Sequence, residues 1–158
     1  MIIMSTIPKS LLKDLPLKLQ ESSRKNRLEL LNSISKAFKN ASEKTDEESV
    51  PAELAAKSLA KILPMVLPRY MDNPSRMAMN ELIQIIVEKH PESVIKILTA
   101  SLSESFSSWS SIYPSLYSAK IAIAGLQWTL ILANEATKKG YVIYLYCKYI
   151  FNFNKRFL

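Results

Sequence analysis

The stretch Arg69–Thr99, RYMDNPSRMAMNELIQIIVEKHPESVIKILT, decides the fold of this chain. It predicts the end of one helix, a tight turn over residues 72–74, a second helix over Ser75–His90, and a third helix that starts at Pro91. Helices joined by so few residues must lie antiparallel and in contact. Stacked helix pairs are typical of helical repeat proteins, which favours a protein that binds partners over one that catalyses a reaction.

Composition supports a helical protein in a reducing compartment. The chain has 158 residues but only two glycines, so sheets built on tight glycine turns are disfavoured and the predicted class is all-α. Cys147 is the single cysteine, which excludes an internal disulfide. No apolar run reaches the ~18 residues of a membrane-spanning helix. We therefore expect a cytoplasmic chain.

Four residues are expected to shape the turns between helices. Asp72 can accept hydrogen bonds from the free backbone donors of the helix after it, and Pro74 fixes the turn. Arg76 lies one turn into that helix, where its side chain could reach back towards Asp72. Pro91 is placed to start the third helix. We interpret all four as structural residues of the repeat.

The N-terminal part of the chain predicts a further helix pair. Apolar residues at helical spacing indicate a short helix over residues 9–20, which Pro16 should weaken in its middle. A firmer helix is predicted over Ser23–Ala41, with an apolar stripe in steps of three and four. This pair can be the first repeat.

The remaining segments differ in composition. Residues 40–50 are acidic and are interpreted as an exposed linker, after which Pro51 is expected in the first turn of a helix. Residues 103–118 are serine-rich with several aromatic rings and predict a loop, which either packs on the protein or receives a partner. Residues 119–139 predict a helix that is apolar nearly all round. Residues 141–158 form an aromatic, strand-like tail.

Positive charge is concentrated near the N-terminus. The formal charge of the chain is +7, and residues 9–39 hold eight Lys/Arg against three Asp/Glu. Such a surface suits RNA, a ribosomal surface or anionic lipid, although a solvated lysine-rich helix face would have the same composition. The candidate polyanion-contact residues are Lys9, Lys13, Lys18, Arg24, Lys25, Arg27, Lys36 and Lys39.

No catalytic, cofactor or metal motif is found in the sequence. His90 is the only histidine and falls at a predicted helix end, where capping carbonyls is the expected use. Cys147 has no metal-ligand spacing around it, and two glycines cannot form a phosphate-binding loop. Met77 and Met79 are expected in the buried face of their helix. We predict a protein that is not an enzyme, without a cofactor, a metal or a small-molecule substrate.

A resemblance to a known family is carried by the opening stretch and one later tetrapeptide. The residues are Arg69-Tyr70, Asp72, Ser75-Arg76, Ala78, Pro91-Glu92 and Leu126-Gln127-Trp128-Thr129. They resemble the N-terminal segment of the general-control translational activator, a giant HEAT-repeat protein. Over residues 9–139 the resemblance implies a HEAT-like α-solenoid fragment. It also implies an adaptor that binds ribosomes and promotes activation of the initiation-factor-two alpha-subunit kinase in amino-acid starvation, part of the integrated stress response.

The chain departs from this family after Gly140, where further helical repeats would be expected. The family's kinase-docking region lies downstream and is absent from this chain, so we expect a truncated gene model or alternative product with a non-homologous tail. An alternative of another class is a peripheral membrane-associated helical protein. Its anchor would be the aromatic tail, whose Lys148, Lys155 and Arg156 suit a lipid headgroup region.

Overall fold

The computed structural model describes residues 5–21, 23–41, 48–66, 72–112, 127–132, 134–135 and 137–138. Almost all of these residues are helical, which confirms the all-α prediction. The elements are β1 (Thr6–Pro8), α1 (Lys9–Leu12), α2 (Leu15–Glu21), α3 (Arg24–Lys39), β2 (Ser49–Pro51), α4 (Ala52–Val66), α5 (Asn73–Lys89) and α6 (Pro91–Ile112). Residues 127–132, 134–135 and 137–138 are also helical and are called the terminal helical segment below.

The helices are arranged in two layers, because each helix packs on the helix two places further along the chain. One layer holds α2, α4 and α6, and the other holds α3, α5 and the terminal helical segment. Near the helix starts, the Ser93 hydroxyl of α6 donates a hydrogen bond to the Glu53 carboxylate of α4. Helices within a layer are therefore parallel, whereas consecutive helices form antiparallel pairs. This is the arrangement of an α-solenoid.

A small antiparallel hairpin joins the two ends of the first helix pair. β1 pairs with β2 so that Ile7 lies opposite Val50. The backbone N–H of Lys9 donates to the Glu48 carbonyl at 2.8 Å, just beyond the paired residues. The linker expected over residues 40–50 is therefore wrong at its C-terminal end, which is a strand, while residues 42–47 lie outside the described part of the chain. Pro51 ends β2 and does not begin the helix.

The helix predicted over residues 9–20 is two helices. The chain breaks at Asp14, whose φ of 54° lies in the left-handed region, where a short polar side chain is tolerated better than most. Pro16 then falls at the second position of α2. A proline costs little there, since its missing N–H would have no partner within the helix. The expectation that Pro16 weakens the middle of a helix is wrong for this reason.

The comparable ends of α3, α5 and α6 lie within two residues of the predicted ones, with one exception. The end predicted near Arg69 for the helix before the turn lies outside the described residues. Ser23 caps α3 by accepting a hydrogen bond from the backbone N–H of Asn26 at 3.3 Å, and Pro64 is carried inside α4. The exception is α6, which continues to Ile112, so the loop expected over residues 103–118 is helical in its first part. Residues 113–118, most of the helix predicted over 119–139 and the 141–158 tail lie outside the described residues.

The core runs continuously through both layers. It consists of the inward faces of α2 to α6 together with Ile7 of the hairpin and Trp128 of the terminal helical segment. Met79 is fully buried in it, as expected. Met77 is 70% exposed, so the prediction that both methionines belong to the buried face is wrong for Met77. Residues two apart are separated by about 200° around a helix and cannot share one face.

Trp128 anchors the terminal helical segment to α5. Its ring is fully buried, and its Nε1–H donates a hydrogen bond to the Asn80 Oδ1 atom. The same Asn80 side chain donates from Nδ2 to Gln127 Oε1 at 2.9 Å. One amide of α5 thus satisfies two consecutive side chains of the next helix in its layer.

We predict that Asn80→Ala destabilises the protein by about 1–3 kcal/mol, because it leaves the buried indole N–H of Trp128 without an acceptor. The free energy of unfolding from urea titration of the full chain measures this loss. Asn32→Ala on the exposed face of α3 is the matched control. It makes the same change in helix propensity and should stay within about 0.5 kcal/mol of the parent. Equal losses in the two variants would contradict the anchoring role.

Candidate interaction surface

Within the described ranges there is no group of three His, Cys, Asp or Glu side chains that could hold a metal. His90 comes directly after α5, where its backbone N–H donates to the Ile86 carbonyl at 3.0 Å. Its half-buried ring meets the Phe38 ring edge-on, with 6.3 Å between centroids. The interhelical contact by the imidazole was not foreseen in the sequence, since Phe38 lies on another helix.

The structure divides the eight candidate polyanion-contact residues into two sets. Four of them make contacts within the protein. Arg27 Nη2 lies 3.5 Å from Asp72 Oδ2, and Lys39 Nζ lies 2.5 Å from Glu81 Oε1. Lys18 Nζ donates to the Ser10 carbonyl at 3.2 Å, and Lys25 Nζ lies 3.9 Å from Glu29 Oε1 on an exposed turn of α3.

The other four residues are exposed and have no side-chain partner among the described residues. They are Lys9, Lys13, Arg24 and Lys36. Lys9 and Lys13 line one open cleft together with Glu48 and Val50, so a carboxylate lies beside the two lysines. Arg24 and Lys36 lie near opposite ends of α3, which contacts both α1 and β1. These four charges are therefore exposed on α1 and α3, although Arg24 and Lys36 lie about 120° apart around their helix.

Asp72 is the residue through which α3 and α5 are joined at their N-terminal ends. Its Oδ1 accepts the backbone N–H of Ser75 at 2.9 Å, which caps α5, while Oδ2 receives Arg27. Burial raises the pKa of Asp72, but the hydrogen bonds from Ser75 and the Arg27 charge outweigh burial, so its pKa lies below the ordinary value. The Arg76 side chain donates to Asn73 instead of reaching Asp72.

The C-terminal ends of the same two helices are joined by Lys89. Its Nζ donates to the Phe38 carbonyl at 2.6 Å and lies 3.5 Å from the Lys39 carbonyl, both in the last turn of α3. A cation at this end of a helix satisfies free carbonyls and the negative end of the helix dipole. Lys89 was not among the predicted site residues, because no local sequence signal marks a contact between residues so far apart in the chain.

Charge is strongly polarised between parts of the structure. Residues 9–39 carry a net charge of +5, whereas residues 48–66 and 72–112 hold five Lys/Arg against seven Asp/Glu, a net charge of −2. Glu81 and Glu88 lie exposed on α5, the helix next to α3 in its layer. Lys39 of α3 pairs with one of these carboxylates, Glu81.

We predict that Arg27→Ala lowers the free energy of unfolding by about 1–2 kcal/mol, because Asp72 then loses a partly buried charged partner. Lys36→Ala is the matched control on the same helix and should stay within about 0.5 kcal/mol of the parent, since it removes no internal contact. Urea titration of the two variants measures the difference. If Arg27→Ala left the free energy of unfolding unchanged, the ion pair would contribute nothing to stability.

A second prediction concerns pH. Burial lowers the pKa of His90, an effect to which the charge of Lys89 adds and which Glu53 opposes. The unfolded chain, with a histidine pKa near the ordinary value of about 6.5, therefore binds a proton more readily than the folded protein. The stabilising effect of the neutral ring is complete above that value and is lost as the pH falls through the lowered folded-state pKa.

The parent protein should accordingly lose stability between about pH 7.5 and about pH 5.5, and His90→Asn should lose less over the same range. Asparagine is accepted at a helix C-terminus, so the comparison isolates the titration. The pKa values of Asp72 and Glu53 lie below their ordinary values, which keeps both carboxylates ionised over this range. Parallel stability curves for the two proteins would exclude His90 as the titrating group.

The described helices include none that is long and apolar enough to cross a membrane. The tail on which the membrane-anchor alternative depends lies outside the described residues.

Comparison with known proteins supports the resemblance carried by the opening stretch. No model of a protein family matches the chain, and no solved structure does. The chain is 32% identical over 121 residues to the mouse protein named stalled ribosome sensor GCN1, and 33% identical over 115 residues to the human protein of that name. These matches cover 77% and 73% of this chain but only 4% of each relative. The chain is therefore distantly similar to one short segment of GCN1.

Proposed function

We propose that this chain is a non-catalytic helical adaptor that contacts the ribosome through the positive surface of α1 to α3. The observation that carries the proposal is the similarity to stalled ribosome sensor GCN1 across most of the chain. The net charge of +5 on residues 9–39 supports it, because ribosomes present a polyanionic surface. The two-layer helical stack supplies a rigid support for such a surface.

The role in the cell is proposed on the same similarity. The chain acts as a cytoplasmic segment of a ribosome-associated translational activator, which promotes activation of the initiation-factor-two alpha-subunit kinase in amino-acid starvation. The part of that activity proposed for this chain is ribosome contact; the chain spans only 4% of the length of its relatives. The helices carry surfaces for binding and supply no catalytic group in this proposal.

The test is co-sedimentation of the full purified chain with ribosomes. We expect the chain to pellet with ribosomes at about 50 mM salt and to be released by about 200 mM, because contacts between cations and phosphates release bound counterions. The readout is the fraction of protein in the pellet at each salt concentration. A chain sedimented without ribosomes at both salt concentrations is the control for aggregation.

Two results would contradict the proposal. The first is a chain that stays in the supernatant even at the lower salt concentration. The second is pelleting that does not respond to salt, which would place the contact on an apolar surface and not on the positive charge of α1 to α3.

A further inference from the structure

Large apolar side chains on the surface are concentrated in one of the two layers. Among the described residues they are Leu17, Leu54, Met65, Met77 and Leu130, each more than half exposed. The first three belong to α2 and α4, which are in contact within one layer. Leu17 lies between Leu15 and Leu19, which are fully buried, so it points away from the core. The outer face of this layer therefore carries exposed apolar side chains on two neighbouring helices.

On α4 these apolar side chains flank a lysine. Leu54 and Met65 are eleven residues apart, which places them about 16 Å apart along the helix axis but only about 20° apart around it. Lys61 lies between them and within about 40° of both, so the three residues form one surface, the α4 strip (Leu54, Lys61 and Met65). Lys61 is exposed and has no side-chain partner among the described residues. The single carboxylate of α4, that of Glu53, is already paired with Lys57.

Ile62 connects the α4 strip to Leu17. Glu53 marks the edge of α4 that faces α6, because its carboxylate accepts a hydrogen bond from Ser93. Ile62 lies nine residues further on, about 180° from Glu53 around the helix, and is therefore on the opposite edge, towards α2. It is half-buried, so part of its side chain remains in contact with water. The exposed apolar surface thus extends across both helices.

We infer that the outer face of α2 and α4 binds an amphipathic helix of a partner protein. Its apolar side chains cover Leu17, Leu54 and Met65, and one of its carboxylates pairs with Lys61. Apolar side chains at the centre of a contact are typical of protein interfaces, and a helix docks on such a surface through apolar residues in steps of three and four. The unpaired cation selects a partner of opposite charge. The inference goes beyond the proposed function, because α4 takes no part in the proposed ribosome contact.

Neither a second copy of the chain nor a lipid surface fits the position of Lys61. A two-fold pairing that places Leu54 against Met65 of the other copy would bring the two Lys61 residues to about 4.5 Å apart along the helix axis. Like charges at this distance repel each other. An amphipathic helix on a membrane carries its cations on the polar face and inserts the apolar face. Lys61 lies among the apolar residues, where a carboxylate of a protein partner neutralises it.

The experiment uses the full chain and two synthetic helical peptides of about 18 residues, with binding followed by fluorescence anisotropy. Both peptides carry leucines along one face in steps of three and four. The acidic peptide has glutamates among these leucines, and the basic peptide has lysines at the same positions. The variant L54Q/M65Q removes the apolar ends of the α4 strip. Its matched control is M77Q/L130Q, which replaces two comparably exposed apolar side chains of the other layer.

A second pair of variants separates the Lys61 contact from the net charge of the chain. K61E reverses the charge in the α4 strip, and K36E makes the same change at an exposed lysine of α3. The parent should bind the acidic peptide at least about fivefold more tightly than the basic peptide at low salt. K61E should reverse this preference, whereas K36E should retain it, because net charge alone affects both variants equally. Thermal unfolding followed by circular dichroism establishes that each variant is folded.

We expect L54Q/M65Q to bind the acidic peptide at least about tenfold more weakly than the parent, and M77Q/L130Q to stay within about twofold of it. No binding of the acidic peptide by the parent, or equal weakening by the two double variants, would overturn the inference. So would a preference for the acidic peptide that K61E and K36E reduce alike, since the charge of the whole chain would then account for it.

Two further measurements test the other two occupants, a second copy and a lipid surface. Sedimentation velocity should give the same oligomeric state for the parent and L54Q/M65Q. Vesicles of phosphatidylcholine and phosphatidylserine should bind these two proteins to the same extent. A dimer that L54Q/M65Q dissociates would identify a second copy as the occupant, and vesicle binding that is lost in this variant would identify a lipid surface. Either result overturns the inference.

Discussion

The burial of α5 on most of its circumference is the constraint on which the rest of the structure depends. Ile85, Ile86 and Val87 are consecutive and buried, and consecutive residues are about 100° apart around a helix. Three of them span about 200°, so no single neighbouring helix can cover them. Each side chain removed from water contributes about 1.5–3 kcal/mol. This accounts for the helices on several sides of α5, with α3, α4 and α6 in contact with it and the terminal helical segment joined to it through Trp128.

Apolar burial alone does not decide how far one helix is shifted along another, because it has little directional preference. Polar contacts between helices of the same layer supply that information. Asp72 and Lys89 join α5 to α3 at both ends, and Asn80 joins it to the terminal helical segment. In the other layer, Glu53 and Ser93 align α4 with α6. Each of these contacts links one repeat to the next, so the repeats are held in register by side chains that lie far apart in the sequence.

This distance explains which features the sequence could predict and which it could not. Helix positions can be read from local periodicity, and the predicted α3 and α5 agree with the structure within about two residues. The strand Ser49–Pro51 was missed, because three residues carry no periodic signal and its partner strand lies near the N-terminus. The turn at Asp14 was missed because Pro16 was taken as the local disturbance. The family resemblance identified from the sequence is supported by the similarity to GCN1. It was drawn from residues of the opening stretch and one tetrapeptide, since the sequence has no catalytic or cofactor motif.

The candidate interaction surface shows the same limit. Sequence alone treats eight positive side chains as equivalent, because it contains no information on which of them face a neighbouring helix. In a helical stack, a charge that faces the next repeat must find a partner there or lose part of its hydration, and Arg27 has such a partner in Asp72. Arg24 and Lys36 lie on the same helix without such a contact and remain hydrated. A charge that already has an internal partner loses that interaction when it binds a phosphate, whereas a hydrated one loses only water and counterions. Under the proposed function, the charges of α3 that are available to a polyanion are those that the stack leaves unpaired, and not the total charge of the helix.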